Sequence, residues 1–217
     1  MAEFTIYIGD KNYSSWSLRG WLMLKATGAA FAEEMIPLDQ AQTRSGILRH
    51  SPSGKVPALR HGAVVIWESL AIGEYLAECF PAVRLWPEAV PARALARAVS
   101  AEMHAGFAAL RRHLPMNIRA SYPDRGVTPE VQTEIDRIIA LWRDCRTRFG
   151  AGGAFLFGRF TIADAMFAPV VSRFRTYDVA LDAAAERYCE AVWAHPPMAE
   201  WAEAARREPR IIGRLEF

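Results

Sequence analysis

The sequence predicts an α/β N-terminal domain followed by an all-α helical C-terminal domain, and three observations predict it. Short β-branched and aromatic runs alternate with helical periodicity over residues 1–80, strand signals fade after Pro91, and a proline-bearing segment separates the two regimes. With 217 residues, 52% of them apolar and 23% charged, the chain is globular and long enough to bury a sizeable core.

Phe4 to Ile8 reads as a buried strand that closes at Gly9-Asp10. Ser14 and Ser15 then precede the helical run Trp16 to Ala26, with Gly28 as its C-terminal cap. A second strand fits Glu34 to Leu38, and Gln40 to Ser53 reads as irregular or weakly helical. Val56 to Arg60 and Val64 to Trp67 flank His61-Gly62 as a hairpin, and Leu70 to Cys79 is helical until Pro81 stops it. The order β-α-β-(α)-β-β-α implies a mixed sheet covered by helices. Phe80 to Pro91, with Pro81, Pro87 and Pro91, is the linker, giving domains at 1–80 and 92–217 joined by 81–91.

In the second half, Leu95, Val99, Met103, Phe107, Leu110 and Leu114 fall on one face of a long helix that ends at Pro115. Thr128-Pro129 opens another, striped by Val131, Ile135, Ile138, Trp142 and Cys145. Thr161-Ile162-Ala163-Asp164 is a variant capping box, and Pro169 should kink the helix it starts. Ala183 to Ala194 and Met198 to Arg207 complete the helices.

Composition excludes several functions. A net charge of +2, without a run of basic residues, argues against nucleic-acid and membrane partners and favours small molecules. The opening Met1-Ala2-Glu3-Phe4-Thr5-Ile6 lacks a basic-then-apolar leader, and no apolar run reaches membrane-helix length, so a soluble, cytoplasmic protein is expected. Cys79, Cys145 and Cys189 are far apart and odd in number, which reads as reduced thiols, with Cys145 in a core stripe. The five histidines show no metal spacing, so no metal is expected.

Three segments carry chemistry. Asn12-Tyr13-Ser14-Ser15-Trp16 puts hydroxyl and amide donors at a strand-to-helix junction, where a helix N-terminus favours a thiolate and a hydroxyl can donate to sulfur. Serines there also serve as simple N-caps. In Gly54-Lys55-Val56-Pro57, a cis proline would turn a sheet edge toward a ligand and free the Val56 backbone to pair with a peptide, whereas a trans proline would merely start an edge strand. Glu68-Ser69 stands before the next helix, where Ser69 and the free amides suit a carboxylate and Glu68 suits an ammonium; the same pair also reads as a cap.

N-Y-S-S-W-S-L-R, S-P-S-G-K-V-P-A-L and W-E-S-L-A-I-G-E-Y-L, in that order, resemble the N-terminal domain of the glutathione S-transferase family, and T-I-A-D at Thr161 resembles the capping box of its C-terminal domain. The likeness is to bacterial-type members whose serine-type junction is similar to the zeta and theta classes. It implies a thioredoxin-like N-terminal domain, glutathione as substrate, a small electrophilic partner and a homodimer.

By that resemblance Lys55 and Val56 would bind the cysteinyl and glycyl parts of glutathione, Pro57 would be the cis proline of the glutathione site, and Glu68 with Ser69 would hold the γ-glutamyl end. Counting back from Arg19, an ungapped zeta-type match puts Asn12 at the usual catalytic position. The thiol-activating group is therefore sought among Ser14, Ser15 and Asn12, with Ser14 preferred. The acceptor pocket is expected from Trp16, His104, Phe107, Arg111 and Asn117, although a solvated basic face plus core aromatics accounts for the same residues. With no cysteine at the junction, mixed-disulfide chemistry has no nucleophile there. Conjugation of a hydrophobic electrophile leads, against a maleylacetoacetate-isomerase-like reaction or a non-catalytic binding module.

Overall fold

A computed structural model describes residues 3–123 and 125–217; Met1 and Ala2 of the opening segment lie outside the described residues. The first half holds β1 (Phe4–Ile8), α1 (Ser15–Ala26), β2 (Phe31–Met35), α2 (Thr43–Leu48), β3 (Ala58–His61), β4 (Val64–Trp67) and α3 (Ser69–Cys79). The sheet order is β2-β1-β3-β4, with β1 parallel to β2 and the other pairs antiparallel. The helices α4 (Val90–Ala105), α5 (Ala108–His113), α6 (Pro129–Phe149), α7 (Ile162–Thr176), α8 (Ala183–Ala194) and α9 (Pro196–Arg207) make up the second half. The thioredoxin-like mixed sheet and the all-helical half are those the sequence predicts.

Two elements differ from expectation. β2 lies three residues earlier than Glu34 to Leu38, because β1 sets its register through Phe4 opposite Phe31 and Pro37 has no N–H to extend the ladder. The helix expected to run unbroken to Pro115 divides into α4 and α5. Gly106 ends α4, Phe107 takes a left-handed φ of 61°, and Arg111 folds back to donate to the carbonyls of Met103 and Gly106 at the α4 C-terminus. Gly28, at φ 73°, follows the Thr27 cap of α1, and Pro169 lies inside α7 without ending it.

The core is continuous across the halves. α1 packs on α3, α7 and α9, with Trp21 edge-on to Trp201 at 5.3 Å, and Trp142 of α6 contacts Phe167, Phe174 and Tyr188. Gly20 permits α1 to approach the sheet: a Cβ there would lie 3.0 Å from the Pro57 ring. Cys145 and Cys189 are buried, and desolvation pushes both thiols up to about 12, which makes them poor nucleophiles. Among the described residues no helix is long and apolar enough to cross a membrane, and no group of three or more His, Cys, Asp or Glu is placed to hold a metal.

Asp164 holds the start of α7. Its carboxylate accepts from the Thr161 amide at 2.8 Å, the Thr161 hydroxyl at 2.9 Å, the Leu156 amide at 3.0 Å and the Tyr188 hydroxyl at 3.2 Å. Burial raises its pKa to about 6 despite these donors. Asp164→Ala orphans all four and should lower the thermal midpoint by about 5–10 °C, from a loss of about 2–4 kcal/mol; a shift under about 2 °C by differential scanning calorimetry would contradict this role.

Candidate active site

The turn after β1 sets the N-terminus of α1. The Asp10 carbonyl accepts from the amides of Tyr13 and Ser14, and the Gly9 amide donates to Ser17 Oγ at 2.9 Å. Ser14 is the N-cap: its Oγ accepts from the Ser17 amide at 3.4 Å, and its hydroxyl donates to Ser17 Oγ at 2.7 Å. Ser15 is the first helical residue. Both serines line a cleft of about 710 Å³ between the halves.

Asn12 does not reach this cleft. Its Nδ2 donates to Asn117 Oδ1 at 2.8 Å, its Oδ1 accepts from the Arg119 amide at 3.0 Å, and its own amide donates to Glu208. With its carboxamide bonded on both sides to the helical half and away from the cleft residues, Asn12 ties the junction to that half. Asn117 is correspondingly engaged, with Asn12, Glu216 and the Leu215 carbonyl, and is not among the cleft residues. Phe107 packs in the core instead. Of the expected acceptor residues, Trp16, His104 and Arg111 line the cleft, while Phe107 and Asn117 do not.

Lys55, Val56 and Pro57 form one wall, and the Val56–Pro57 bond is cis. The Lys55 side chain is exposed and, among the described residues, has no ion-pair partner. Glu68 sits at φ 68°, a left-handed conformation costly for a residue with a Cβ, and it precedes the first turn of α3. Ser69, wholly buried, lines the cleft with an Oγ that has no partner among the described residues. The helix N-terminus behind it leaves free amides at the same place.

Opposite stand Trp16, His104, Arg111, Pro115, Met116, Arg173, Arg214 and Leu215. Sequence reasoning missed Arg173, Met116 and the C-terminal Arg214 and Leu215. A basic residue in a largely apolar helix signals Arg173, but nothing local to the tail signals Leu215. That tail is anchored by Glu216, which accepts from Tyr13, Asn117 and Tyr122, and by Arg214 paired with Asp39 at 2.9 Å.

A sheet-and-helix half of thioredoxin type, presenting the start of α1 to an all-helical half across one cleft, defines the class of protein. Comparison with known proteins gives the same answer. A family model for the glutathione S-transferase N-terminal domain matches residues 13–79, and one for the glutathione S-transferase C-terminal domain matches residues 93–204. The chain belongs to the glutathione S-transferase family. It is similar to a probable maleylacetoacetate isomerase of Caenorhabditis elegans, 36% identical over 102 residues; the match spans 47% of this chain and 47% of that protein, about half of each. Among solved structures, a glutathione transferase homolog from Burkholderia GL BGR1 with bound glutathione aligns with TM-score 0.71 at 24% identity, covering 94% of this chain and 97% of that one. A theta class glutathione S-transferase from Xanthomonas axonopodis pv. citri, with glutathione bound, aligns with TM-score 0.69 at 22% identity, covering 93% and 98%.

His104 reports on the charge of the cleft. Burial lowers its pKa below 6.5; Glu68, with Oε2 3.5 Å from Nε2, pulls it back up, and Arg19 and Arg111 push it down. Burial and the two arginines thus favour its neutral form. In an imidazole NMR titration, His104 should titrate below 6.5 and Glu68→Gln should lower it further; an upward move would contradict the assigned balance.

Proposed function

We propose that the chain is a glutathione S-transferase that ionises the glutathione thiol at the start of α1 and directs the thiolate at a small hydrophobic electrophile. The observation that carries this reading is Ser14, an N-cap hydroxyl on the axis of α1, opening into the cleft that Lys55, Val56, Pro57, Glu68 and Ser69 also line. Among the described residues the Val56 backbone has no hydrogen-bond partner of its own, which suits pairing with a peptide. The orphaned Ser69 hydroxyl and the α3 amides suit the γ-glutamyl carboxylate, and Glu68 suits its ammonium.

An anion at a helix N-terminus sits where the N-cap side chain is. On ligand binding the Ser14 hydroxyl turns from Ser17 to the sulfur, exchanging a neutral hydrogen bond for a charge-assisted one about twice as strong. Ser17 keeps the Gly9 amide as its donor. The thiol proton leaves to solvent, the thiolate forms a C–S bond, and the electrophile's leaving group departs with the electron pair of the broken bond. Within this reading the chain is divided as 1–80, 81–91 and 92–217, and it works as a cytoplasmic homodimer with no metal.

A second reading, glutathione-dependent isomerisation, is favoured by the similarity to the probable maleylacetoacetate isomerase. It predicts turnover of a cis-enone diacid with no net loss of glutathione, where conjugation consumes one glutathione per product.

Ser14→Ala should lower kcat/KM for conjugation by about 100- to 1,000-fold, the range seen when one preorganised donor to a developing anion is lost. Ser15→Ala should stay within about twofold of the parent, since Ser14 and not Ser15 holds the N-cap position of α1. A large loss in Ser15→Ala alone would move the role to Ser15, and full activity in both would rule out a serine hydroxyl.

A further inference from the structure

The acceptor side of the cleft holds more positive charge than the fold uses. Arg111 of α5 and Arg173 of α7 line it, and the buried Arg19 of α1 joins Arg111 at Trp16, with the Arg19 guanidinium 4.6 Å and that of Arg111 4.8 Å from its ring centre. Among the described residues none of the three forms an ion pair with a carboxylate. The nearby acids are engaged elsewhere: Glu134 accepts from the amides of Ala109 and Leu110, Glu68 faces His104, and Asp39 pairs with Arg214.

What the arginines do bind is incomplete. Arg19 donates only from Nε, to the Met166 carbonyl at 3.0 Å, leaving both Nη atoms buried without partners, and Arg111 Nη1 is likewise unsatisfied. Arg173 is 4% exposed yet lines the cleft. Its Nε donates to Leu114 at 2.7 Å and its Nη1 to Pro169 at 3.2 Å, so Nη2 has no hydrogen-bond partner among the described residues. Burial, followed by repulsion from Arg111, lowers Arg173 to about 9, so it remains charged at pH 7. Burying unpaired cations is costly, and a fold that needed only bulk here would gain by replacing them with apolar residues.

We infer that the acceptor half of this cleft takes an electrophile bearing a carboxylate, held by Arg173 and Arg111 beside Trp16, Pro115 and Met116. This rests on the glutathione reading given above. The carboxylates of glutathione have their own stations at Ser69 and Lys55 on the opposite wall, which leaves the arginine cluster for the second substrate. Trp16, Pro115 and Met116 supply an apolar surface for the body of that molecule, and Arg173 Nη2, which no acceptor among the described residues takes, donates to its carboxylate while the Arg111 guanidinium adds positive charge beside it.

The test compares two glutathione conjugates that differ by one group, S-benzylglutathione and S-(4-carboxybenzyl)glutathione, by titration calorimetry against the whole protein. The carboxylated conjugate should bind at least about tenfold more tightly, as a charge-assisted pair in a partly buried site provides. In Arg173→Met that advantage should fall to about onefold. Because this variant removes two buried hydrogen bonds and can fail to fold, the comparison on the parent protein decides by itself. If S-benzylglutathione binds and the added carboxylate gives no gain, the anionic subsite is wrong and the glutathione reading stands. If neither conjugate binds, the glutathione reading fails and takes the subsite with it. An advantage that persists in a folded Arg173→Met would overturn the assignment of Arg173.

Discussion

The start of α1 is the constraint on which the rest of the structure depends. Its position is fixed from two sides: the Gly9 amide and Ser17 hydroxyl fasten it to the end of β1, and Asn12 fastens the preceding turn to Asn117, Arg119 and Glu208 of the helical half. The Lys11 amide adds a second bond to Glu208, at 2.7 Å. A helix N-terminus stabilises an anion only within its first turn, so a small shift of this junction would remove most of the effect. Asn12 therefore contributes by holding geometry, and the cleft forms where the helical half is drawn against the junction.

The close approach of α1 to the sheet follows from the same constraint. With no side chain at Gly20, Pro57 can lie against the helix, so the wall carrying Lys55 and Val56 stands beside the serines. Glu68 in its left-handed conformation completes the arrangement at the head of α3, where His104 from the helical half lies within 3.5 Å. Strand ends and helix starts thus provide the first wall, and residues of α1, α4, α5 and α7 with the C-terminal tail provide the second.

Most of the fold was legible in the sequence because its signals are local. Period-two and helical spacing located β1, α1, the β3–β4 hairpin and α6, and Thr161 with Asp164 located the start of α7. β2 was misplaced because its register comes from β1, and the break between α4 and α5 was missed because apolar spacing continues across it, from Met103 through Phe107 to Leu110. The site divides in the same way. Ser14, Lys55, Val56, Pro57, Glu68 and Ser69 stand at element ends, where sequence marks them, and all line the cleft. Asn12 and Asn117 each read as a polar residue with a task, and their task is each other, across 105 positions of chain that no local pattern spans. Arg173 is marked only as a basic residue in an apolar helix, and Leu215 joins the cleft through tertiary packing alone.

If the start of α1 ionises bound glutathione, the thiol itself reports it. The most direct measurement is an ultraviolet difference titration of the thiolate of glutathione bound to the protein, set against free glutathione in the same buffer. The thiol pKa should be at least about one unit lower when bound, equivalent to about 1.4 kcal/mol in favour of the thiolate. Saturable binding with a pKa equal to that of free glutathione would contradict it and leave a binding protein without transferase chemistry.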